Sequence, residues 1–199
     1  MTPRPYSAAC ERNRAPILDR LGDAFEGTRR VVEIGSGTGQ HAAWFAPRLP
    51  GLTWVATDLG DRLPGIRAWV NGLEASGRVE VLALDVTRSP WPDLGPVDAA
   101  FSANTAHILP ESAVEAMFAG LGERLPPGAP LCLYGPFAVD GAHTGPGNAA
   151  FDASLRSRDP RMGVRDLRWL EGVGERAGFG LERVDPMPAD NRLVTWRKN

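Results

Sequence analysis

Residues 31–41 read Val-Val-Glu-Ile-Gly-Ser-Gly-Thr-Gly-Gln-His, and this stretch decides the fold class. Residues 30–34 are short, rich in β-branched side chains and followed at once by glycine, which predicts a buried strand. Three alternate glycines then lead into a predicted helix that begins near Thr38. Glycine lets a strand end turn sharply and lets a ligand approach the backbone without a Cβ atom in the way. The N–H groups of the following helix face such a ligand. The stretch therefore predicts a ligand-binding loop, although a merely tight turn would also use glycine.

Strand-like and helix-like segments alternate along the chain. Apolar residues at helical spacing predict helices at residues 7–25, with Ser7 as N-cap, and at 38–49, 61–75, 111–125 and 165–177. Short apolar runs predict seven strands, at residues 30–34, 52–57, 79–84, 97–103, 131–134, 181–184 and 193–196. Strands separated by helices predict a mostly parallel sheet with helices on both faces, and the last two strands predict an antiparallel hairpin. We expect one α/β domain over residues 1–199.

One long segment interrupts this alternation. Residues 136–163 are rich in Gly, Pro and polar residues, and they are too many for a simple connection. Segments of this length in compact domains are usually functional or disordered.

Composition and charge limit the function classes. The chain has 199 residues, 43% of them hydrophobic and 23% charged, and its formal net charge is −2. This balance argues against a nucleic-acid partner and leaves a small molecule as the expected one. Cys10 and Cys132 form neither a disulfide framework nor a metal-type spacing, so we expect no metal and a cytoplasmic protein. The N-terminus lacks the apolar core of a signal peptide, and no apolar stretch approaches the length of a membrane span. The sequence leaves the oligomeric state open.

The type of cofactor follows from the residues around the glycines. A dinucleotide fingerprint, G-x-G-x-x-G/A, needs a small residue at position 40, where this chain has Gln40. Glu33 also stands two positions before the first glycine. These features resemble the first motif of class I S-adenosylmethionine-dependent methyltransferases.

The resemblance to class I methyltransferases continues down the chain. It implies a Rossmann-like sandwich, with Asp58 at the end of the second strand holding the cofactor ribose and Asp85 after the third strand near the adenine. The closing hairpin matches the antiparallel last strand of that fold. The cofactor-binding residues implied by the resemblance, with S-adenosylmethionine as cofactor, are Glu33, Gly35, Ser36, Gly37, Thr38, Gly39, Asp58, Asp85 and Asn104. From the residues alone, Glu33 could equally only hold the glycine loop, Asp58 could cap a turn, and Asp85 could be a strand-end residue.

A closer resemblance is to an uncharacterised methyltransferase-like family known as domain of unknown function 938. The segments that carry it are residues 7–13 (SAACERN), 102–108 (SANTAHI), 134–137 (YGPF) and 151–156 (FDASLR). Met162 departs from the Trp expected there, and Gly147 departs from the expected Ser. The resemblance implies a cofactor and a fold without a substrate.

Candidates for catalysis follow the fourth strand. Asn104 and His107 stand at its carboxyl end, where open α/β sheets place ligands, and Tyr134 opens the YGPF segment. His is the default general base if the methyl acceptor is protonated at neutral pH, but a structural histidine is an equal alternative. His41 could likewise satisfy local backbone or touch a ligand.

Two segments are predicted to cover the site and form the substrate pocket together. The first is the N-terminal helix, residues 7–25, and the second is the insertion, residues 136–163. The candidate substrate residues on them are Glu11, Arg12, Asn13, Phe137, His143, Asn148 and Arg156. Arg12 or Arg156 could pair an acidic group, although charged residues on a helix are also typical of a solvated face.

Two alternative functions stay open. A cofactor-binding regulatory protein without catalysis would have the same fold, since function lies in the site. An NAD(P)-dependent oxidoreductase is disfavoured by Gln40, by the missing Tyr-x-x-x-Lys pair and by the terminal hairpin.

Overall fold

The computed structural model describes residues 4–73 and 77–199. The chain forms two compact units, residues 1–101 and 102–199. The prediction of a single domain stays a prediction.

In its described residues, 4–73 and 77–101, the first unit is a parallel sheet with three helices. Its elements are α1 (Ala8–Ala24), β1 (Arg30–Ile34), α2 (Gln40–Phe45), β2 (Thr53–Asp58), α3 (Leu63–Val70), β3 (Val79–Ala83) and the start of β4 (Ala99–Ala103). The strand order is β3-β2-β1-β4, and each neighbouring pair is parallel. Glu33 of β1 lies opposite Ala56 of β2 and Phe101 of β4. The carboxyl ends of β1 and β2 therefore meet at one edge, where the glycines follow.

Local chemistry explains why these elements form. Ser7 has extended backbone and its hydroxyl accepts from the N–H of Cys10, so it is the N-cap of α1 as predicted. Ile17 and Leu21 of this helix are fully buried. Phe45, Trp54 and Phe101 meet at tilted and edge-to-face angles with ring centroids 5.4–5.8 Å apart. Trp54 and Phe101 come from the two strands that flank β1, so this aromatic cluster fills part of the core beside that strand.

The second unit contains the end of β4 and the antiparallel strands. Its elements are α4 (Glu111–Gly122), β5 (Pro130–Val139), β6 (Ala142–His143), α5 (Pro146–Arg158), β7 (Arg165–Asp166), α6 (Leu167–Arg176), β8 (Phe179–Met187) and β9 (Asn191–Lys198). The strand order is β4-β5-β9-β8, and β9 is antiparallel to both of its neighbours. The two-residue strands β6 and β7 pair with β5. Phe118, Phe179 and Trp196 form an aromatic core with edge-to-face contacts.

The architecture confirms the predicted fold class, a mostly parallel α/β sheet with antiparallel strands at the C-terminus. Several predicted boundaries were wrong. The helix expected at 38–49 covers only Gln40–Phe45, because Gly39 adopts left-handed backbone just before it. The helix expected at 61–75 is Leu63–Val70, and residues 74–76 lie outside the described part of the chain.

The long insertion was also partly misread. The strand expected at 131–134 runs over Pro130–Val139, and the segment beyond it carries the 13-residue helix α5. Residues 136–163 are therefore mostly regular structure.

Within residues 4–73 and 77–199, no helix is long and apolar enough to cross a membrane. The same residues contain no group of three or more His, Cys, Asp or Glu side chains arranged to hold a metal ion.

Candidate functional site

The glycine loop joins β1 to α2 through left-handed backbone. Gly35, Gly37 and Gly39 have φ angles of 73°, 58° and 84°. The N–H groups of Gly35 and Ser36 both donate to the carbonyl oxygen of Thr57, at 3.0 and 2.9 Å. These two hydrogen bonds fix the loop to the end of β2.

Two of the glycines have different structural reasons. A Cβ atom on Gly39 would lie 2.8 Å from the Ile66 Cα and 3.1 Å from the Ile66 carbonyl oxygen, so this glycine allows α3 to pack on the loop. A Cβ atom on Gly37 would meet nothing within 4 Å, and Gly37 is exposed. The backbone at Gly37 is therefore open to a ligand.

Asp58 places a carboxylate directly beside this open backbone. Its Oδ2 accepts from the Gly37 N–H at 2.7 Å, and its Oδ1 accepts from the Leu59 N–H at 2.8 Å. Asp58 is half-buried, which leaves lone pairs of its oxygens accessible. Leu59, the next residue, exposes 50% of its surface. Sequence reasoning missed Leu59, although an apolar residue directly after a strand-end carboxylate was a usable signal.

Glu33 lies underneath the loop. It is 1% exposed, and its Oε2 accepts from the Ser36 hydroxyl and from the Trp54 indole N–H, both at 2.8 Å. Burial raises the pKa of Glu33 to about 7, even though the two hydrogen bonds oppose this rise. These contacts favour the interpretation that Glu33 holds the loop, and direct contact with a cofactor stays a prediction.

The N-terminal segment touches the same loop. The Ser7 N–H and the Thr38 hydroxyl both donate to Gln40 Oε1, at 2.5 and 3.1 Å. One interpretation of the sequence was that His41 satisfies local backbone. Instead, its Nε2 lies 2.8 Å from Asn13 Oδ1. Burial lowers the pKa of His41 to about 4. The helix α1 is therefore linked to the glycine loop through polar side chains.

The other predicted residues of α1 point elsewhere. Glu11 forms an ion pair with Arg14, one turn further along the helix. Arg12 is exposed and has no hydrogen-bond or ion-pair partner among the residues described. Asn13 is 7% exposed and bound to His41, so the structure separates it from the two charged residues.

Asp85 lies in a turn two residues after β3. Its Oδ1 accepts from both the N–H and the hydroxyl of Thr87, at 3.0 and 2.7 Å, and its Oδ2 pairs with Arg88 at 3.2 Å. The Thr87 hydroxyl is the main cause of the lowered pKa of Asp85. The contacts favour the turn interpretation, and a role toward adenine stays a prediction.

In the second unit, Asn104 and His107 are brought together at one glycine. Asn104 has a φ angle of 56°, which is strained for a residue other than glycine, and its N–H donates to the Tyr134 carbonyl at 2.8 Å. A Cβ atom on Gly135 would lie 3.8 Å from Asn104 Oδ1 and 3.7 Å from His107 Nδ1. The two side chains therefore face the same point on β5.

His107 is enclosed. It is 6% exposed, and its ring contacts Phe151 edge-on with centroids 5.0 Å apart. Burial, aided by the charge of Arg165, lowers the pKa of His107 to about 4. The imidazole is therefore neutral at pH 7, the form that a general base requires.

The remaining predicted residues of the second unit are mostly engaged. Tyr134 and Phe137 are buried in β5, 5% and 2% exposed. Asn148 donates to the Thr144 hydroxyl and to the Asp190 carbonyl, at 2.9 and 3.0 Å. The other two face a single carboxylate, that of Asp152: Arg156 Nε at 2.9 Å and His143 Nε2 at 3.7 Å. The pairing of Arg156 leaves it less available for an acidic substrate than the sequence suggested.

The family of the chain is shown by its sequence. A family model described as protein of unknown function (DUF938) matches residues 4–198. The chain belongs to this family.

Methyltransferases are among the solved structures with the same fold. An O-methyltransferase family 2 protein from Planctomyces limnophilus, solved as a complex with apigenin, superposes with a TM-score of 0.82 at 19% identity. An O-methyltransferase family protein from Burkholderia thailandensis gives 0.80 at 19% identity. Human N-acetylserotonin methyltransferase, solved in complex with SAM, gives 0.81 at 13% identity. Each alignment covers 96% of this chain but only 53–59% of the other chain. The chain therefore has the methyltransferase fold and spans little more than half the length of these neighbours.

Proposed function

We propose that this protein binds S-adenosylmethionine and transfers the methyl group to a small molecule. The observation that carries the proposal is the Asp58 carboxylate, which accepts from the Gly37 N–H beside backbone where an added Cβ would meet no described atom within 4 Å. A carboxylate at this point can accept from two ribose hydroxyls in charge-assisted hydrogen bonds. The methyltransferase fold of the chain supports this choice of cofactor, as does Gln40 in place of the small residue of a dinucleotide site.

Different residues would bind different parts of the cofactor. The residues proposed to hold it are those predicted from the sequence: Glu33, Gly35, Ser36, Gly37, Thr38, Gly39, Asp58, Asp85 and Asn104. We add Leu59, because its exposed side chain follows Asp58 and offers an apolar surface to the adenine ring. Within this set Glu33 acts through Ser36, since its carboxyl is buried beneath the loop.

Catalysis would need alignment and, for some acceptors, a base. When bound, S-adenosylmethionine supplies an electrophilic methyl group for in-line displacement, and positioning of the reactants supplies much of the rate. His107 is neutral at pH 7 and can accept a proton from an acceptor hydroxyl, thiol or ammonium. Asn104 shares its position over Gly135 and would orient the acceptor. Tyr134 stays a weaker proposal, because it is buried in the strand.

The partner we propose is a small molecule, on the basis of a net charge of −2 without a basic patch in the sequence. Arg12, exposed and unpaired among the described residues, is the proposed substrate contact on α1.

Calorimetry tests the proposal directly. We expect micromolar binding of S-adenosylmethionine and of its demethylated product S-adenosylhomocysteine, and no comparable binding of NAD. Tight NAD binding without binding of S-adenosylhomocysteine would overturn the assignment. Incubation with radiolabelled S-adenosylmethionine and a metabolite extract then separates an enzyme from a binding protein, since only the enzyme produces labelled acceptors.

A further inference from the structure

A row of buried polar side chains connects the N-terminal helix to the glycine loop. Asn13 Oδ1 lies 2.8 Å from His41 Nε2, and His41 Nδ1 lies 3.9 Å from Glu33 Oε1. Glu33 Oε2 then accepts from the Ser36 hydroxyl at 2.8 Å. Asn13, His41, Glu33 and Ser36 are each less than 8% exposed. The two contacts at 2.8 Å are hydrogen bonds that fix their partners, because an unpaired buried polar group would be destabilising. The contact at 3.9 Å is electrostatic.

Packing holds the histidine of this row in one plane. The His41 ring stacks on Phe45 with an interplanar angle of 8° and centroids 5.1 Å apart, and it meets Phe101 at an edge. Because the ring keeps its plane, the position of the hydrogen on its two nitrogens decides which contacts it makes.

The Asn13 oxygen selects the position of that proton. Because Asn13 Oδ1 accepts, His41 carries its hydrogen on Nε2, and Nδ1 presents a lone pair to Glu33 Oε1. At 3.9 Å, which is longer than a hydrogen bond, this lone pair attracts the hydroxyl dipole of a protonated Glu33 and repels the charge of an ionised Glu33. The position of that proton links Asn13 to a carboxyl group 20 positions away in the sequence.

Several charged or titratable groups surround this pair. Asp58 of β2 disfavours the ionised form of Glu33, and Trp54 of the same strand favours it by donating a hydrogen bond. From α1, Arg14 disfavours the protonated form of His41. The Cys10 thiol of α1 also faces Glu33. Burial raises the pKa of this thiol most, and the charge of Glu33 raises it by a smaller amount. These groups come from the two elements that pack around the loop.

We propose that Asn13 is a positioning residue for S-adenosylmethionine, which acts through His41 and Glu33 on Ser36 so that docking of α1 and binding of the cofactor favour each other. The inference rests on the proposed function, because it assigns the N-terminal helix to the same cofactor loop. Coupling between two binding events is reciprocal, so cofactor binding must stabilise the docked α1 by as much as docking of α1 strengthens cofactor binding.

The experiment measures the affinity for S-adenosylhomocysteine from pH 5.5 to 8.5 in the full-length protein. In the wild type, the affinity for S-adenosylhomocysteine should fall as the pH rises, with a midpoint near pH 7 that is set by the pKa of Glu33. Asn13→Ala removes the acceptor and lets His41 place its hydrogen on Nδ1, where it favours ionised Glu33. The midpoint should then fall by about one pH unit, and the affinity at pH 7 should weaken about tenfold.

Two further variants separate positioning from simple loosening of the helix. Asn13→Gln keeps a neutral amide oxygen that can accept from His41 Nε2 and adds no charge beside Glu33, so its midpoint should not fall and its affinity should exceed that of Asn13→Ala. Leu21→Ala, at a fully buried position of the same helix, weakens the docking of α1 without touching the polar row. It should reduce affinity with an unchanged midpoint. Arg20→Ala, on the exposed side of α1, is the surface control.

Reciprocity gives an independent readout. Hydrogen exchange of the amides of Ala8–Ala24 should slow on addition of S-adenosylhomocysteine in the wild type, and less so in Asn13→Ala.

The outcomes are distinct. If the wild type does not bind S-adenosylhomocysteine, the proposed function fails. If the wild type binds and Asn13→Ala keeps the wild-type affinity and midpoint, the inference alone is overturned. It is also overturned if Asn13→Ala and Leu21→Ala both lose affinity with the wild-type midpoint, since Asn13 would then be only a packing residue.

Discussion

At the scale of single residues, Asp58 is the most direct test of the cofactor assignment. Asp58→Ala should weaken binding of S-adenosylhomocysteine by about 2–3 kcal/mol, because ribose hydroxyls lose a charged acceptor. Asp58→Asn keeps one acceptor oxygen and should lose less. Asp61→Ala removes an exposed carboxylate three positions away and should bind as the wild type does. A loss below about tenfold in a folded Asp58→Ala protein would make Asp58 a turn residue.

His107 is the residue on which the chemistry can be tested. Its pKa of about 4, set by burial and then by Arg165, predicts that a base at this position stays active from pH 5.5 to 8. For an acceptor found in the metabolite screen, the acidic limb of kcat should lie near pH 4. His107→Ala should reduce turnover roughly 10²–10⁴-fold with unchanged affinity for S-adenosylhomocysteine. An equal loss of binding and turnover would show a structural histidine, whereas an acidic limb near the ordinary histidine pKa would contradict the lowered pKa of His107.

At the scale of elements, the glycine loop joins two requirements that substitution can separate. Gly39→Ala places a methyl group 2.8 Å from the Ile66 backbone in left-handed conformation, so it should lower the free energy of unfolding by roughly 2–4 kcal/mol. Gly37→Ala meets no protein atom, so its left-handed backbone should cost about 1–2 kcal/mol. Urea unfolding measures both.

Gly39→Ala should have the larger effect on stability, and Gly37→Ala should have the larger effect on cofactor affinity for a given loss of stability. Relative to its effect on stability, Gly37→Ala should weaken binding of S-adenosylhomocysteine more, because its methyl group enters the open side of the loop. Equal ratios of lost binding to lost stability in both variants would contradict the assignment of Gly37 as the point of closest approach.

Elements with strong apolar periodicity were predictable from the sequence, and α5 was not. Asn148, Asp152 and Leu155 form the buried side of α5 at helical spacing, but two of these three residues are polar. A search for apolar periodicity therefore finds no helix there. Pro146 at the start of the helix looked like a loop residue, although proline is favoured in the first helical turn.

The candidate site shows the same division. The glycines and Asp58 were predictable, because a strand, a turn and a following strand-end acid are adjacent in sequence patterns. The contact between Asn13 and His41 was not, since it joins residues 28 positions apart on two helices. Only the packing of α1 against α2 creates it.

At the scale of the whole molecule, buried titratable groups give opposing effects of pH on stability. Glu33 has a raised pKa, so its contribution to stability is complete below pH 4.5 and is lost as the pH rises through about 7. His41 and His107 have pKa values lowered to about 4, so their contributions are complete above pH 6.5 and are lost as the pH falls toward 4. Because two histidines oppose one glutamate, stability should rise between pH 4.5 and 6.5, but by less than the histidines alone would give.

Glu33→Gln should remove one of these opposing effects. Relative to the wild type, the free energy of unfolding of the variant should increase from pH 4.5 to pH 8 by up to about 3 kcal/mol. The reason is that glutamine keeps an oxygen for Ser36 and Trp54 but never acquires a buried charge.

Glu80→Gln is the matched control, because the hydrogen bond from Arg30 lowers the pKa of Glu80, whereas burial raises the pKa of Glu33. Its stability relative to the wild type should stay nearly constant over this range, because the contribution of Glu80 is lost only as the pH falls below about 4.5. Urea unfolding at pH 4.5, 7 and 8 measures both differences. If the Glu33→Gln and wild-type curves run parallel, Glu33 does not titrate in this range in the folded protein. The pH midpoint expected for cofactor binding would then have to come from another group.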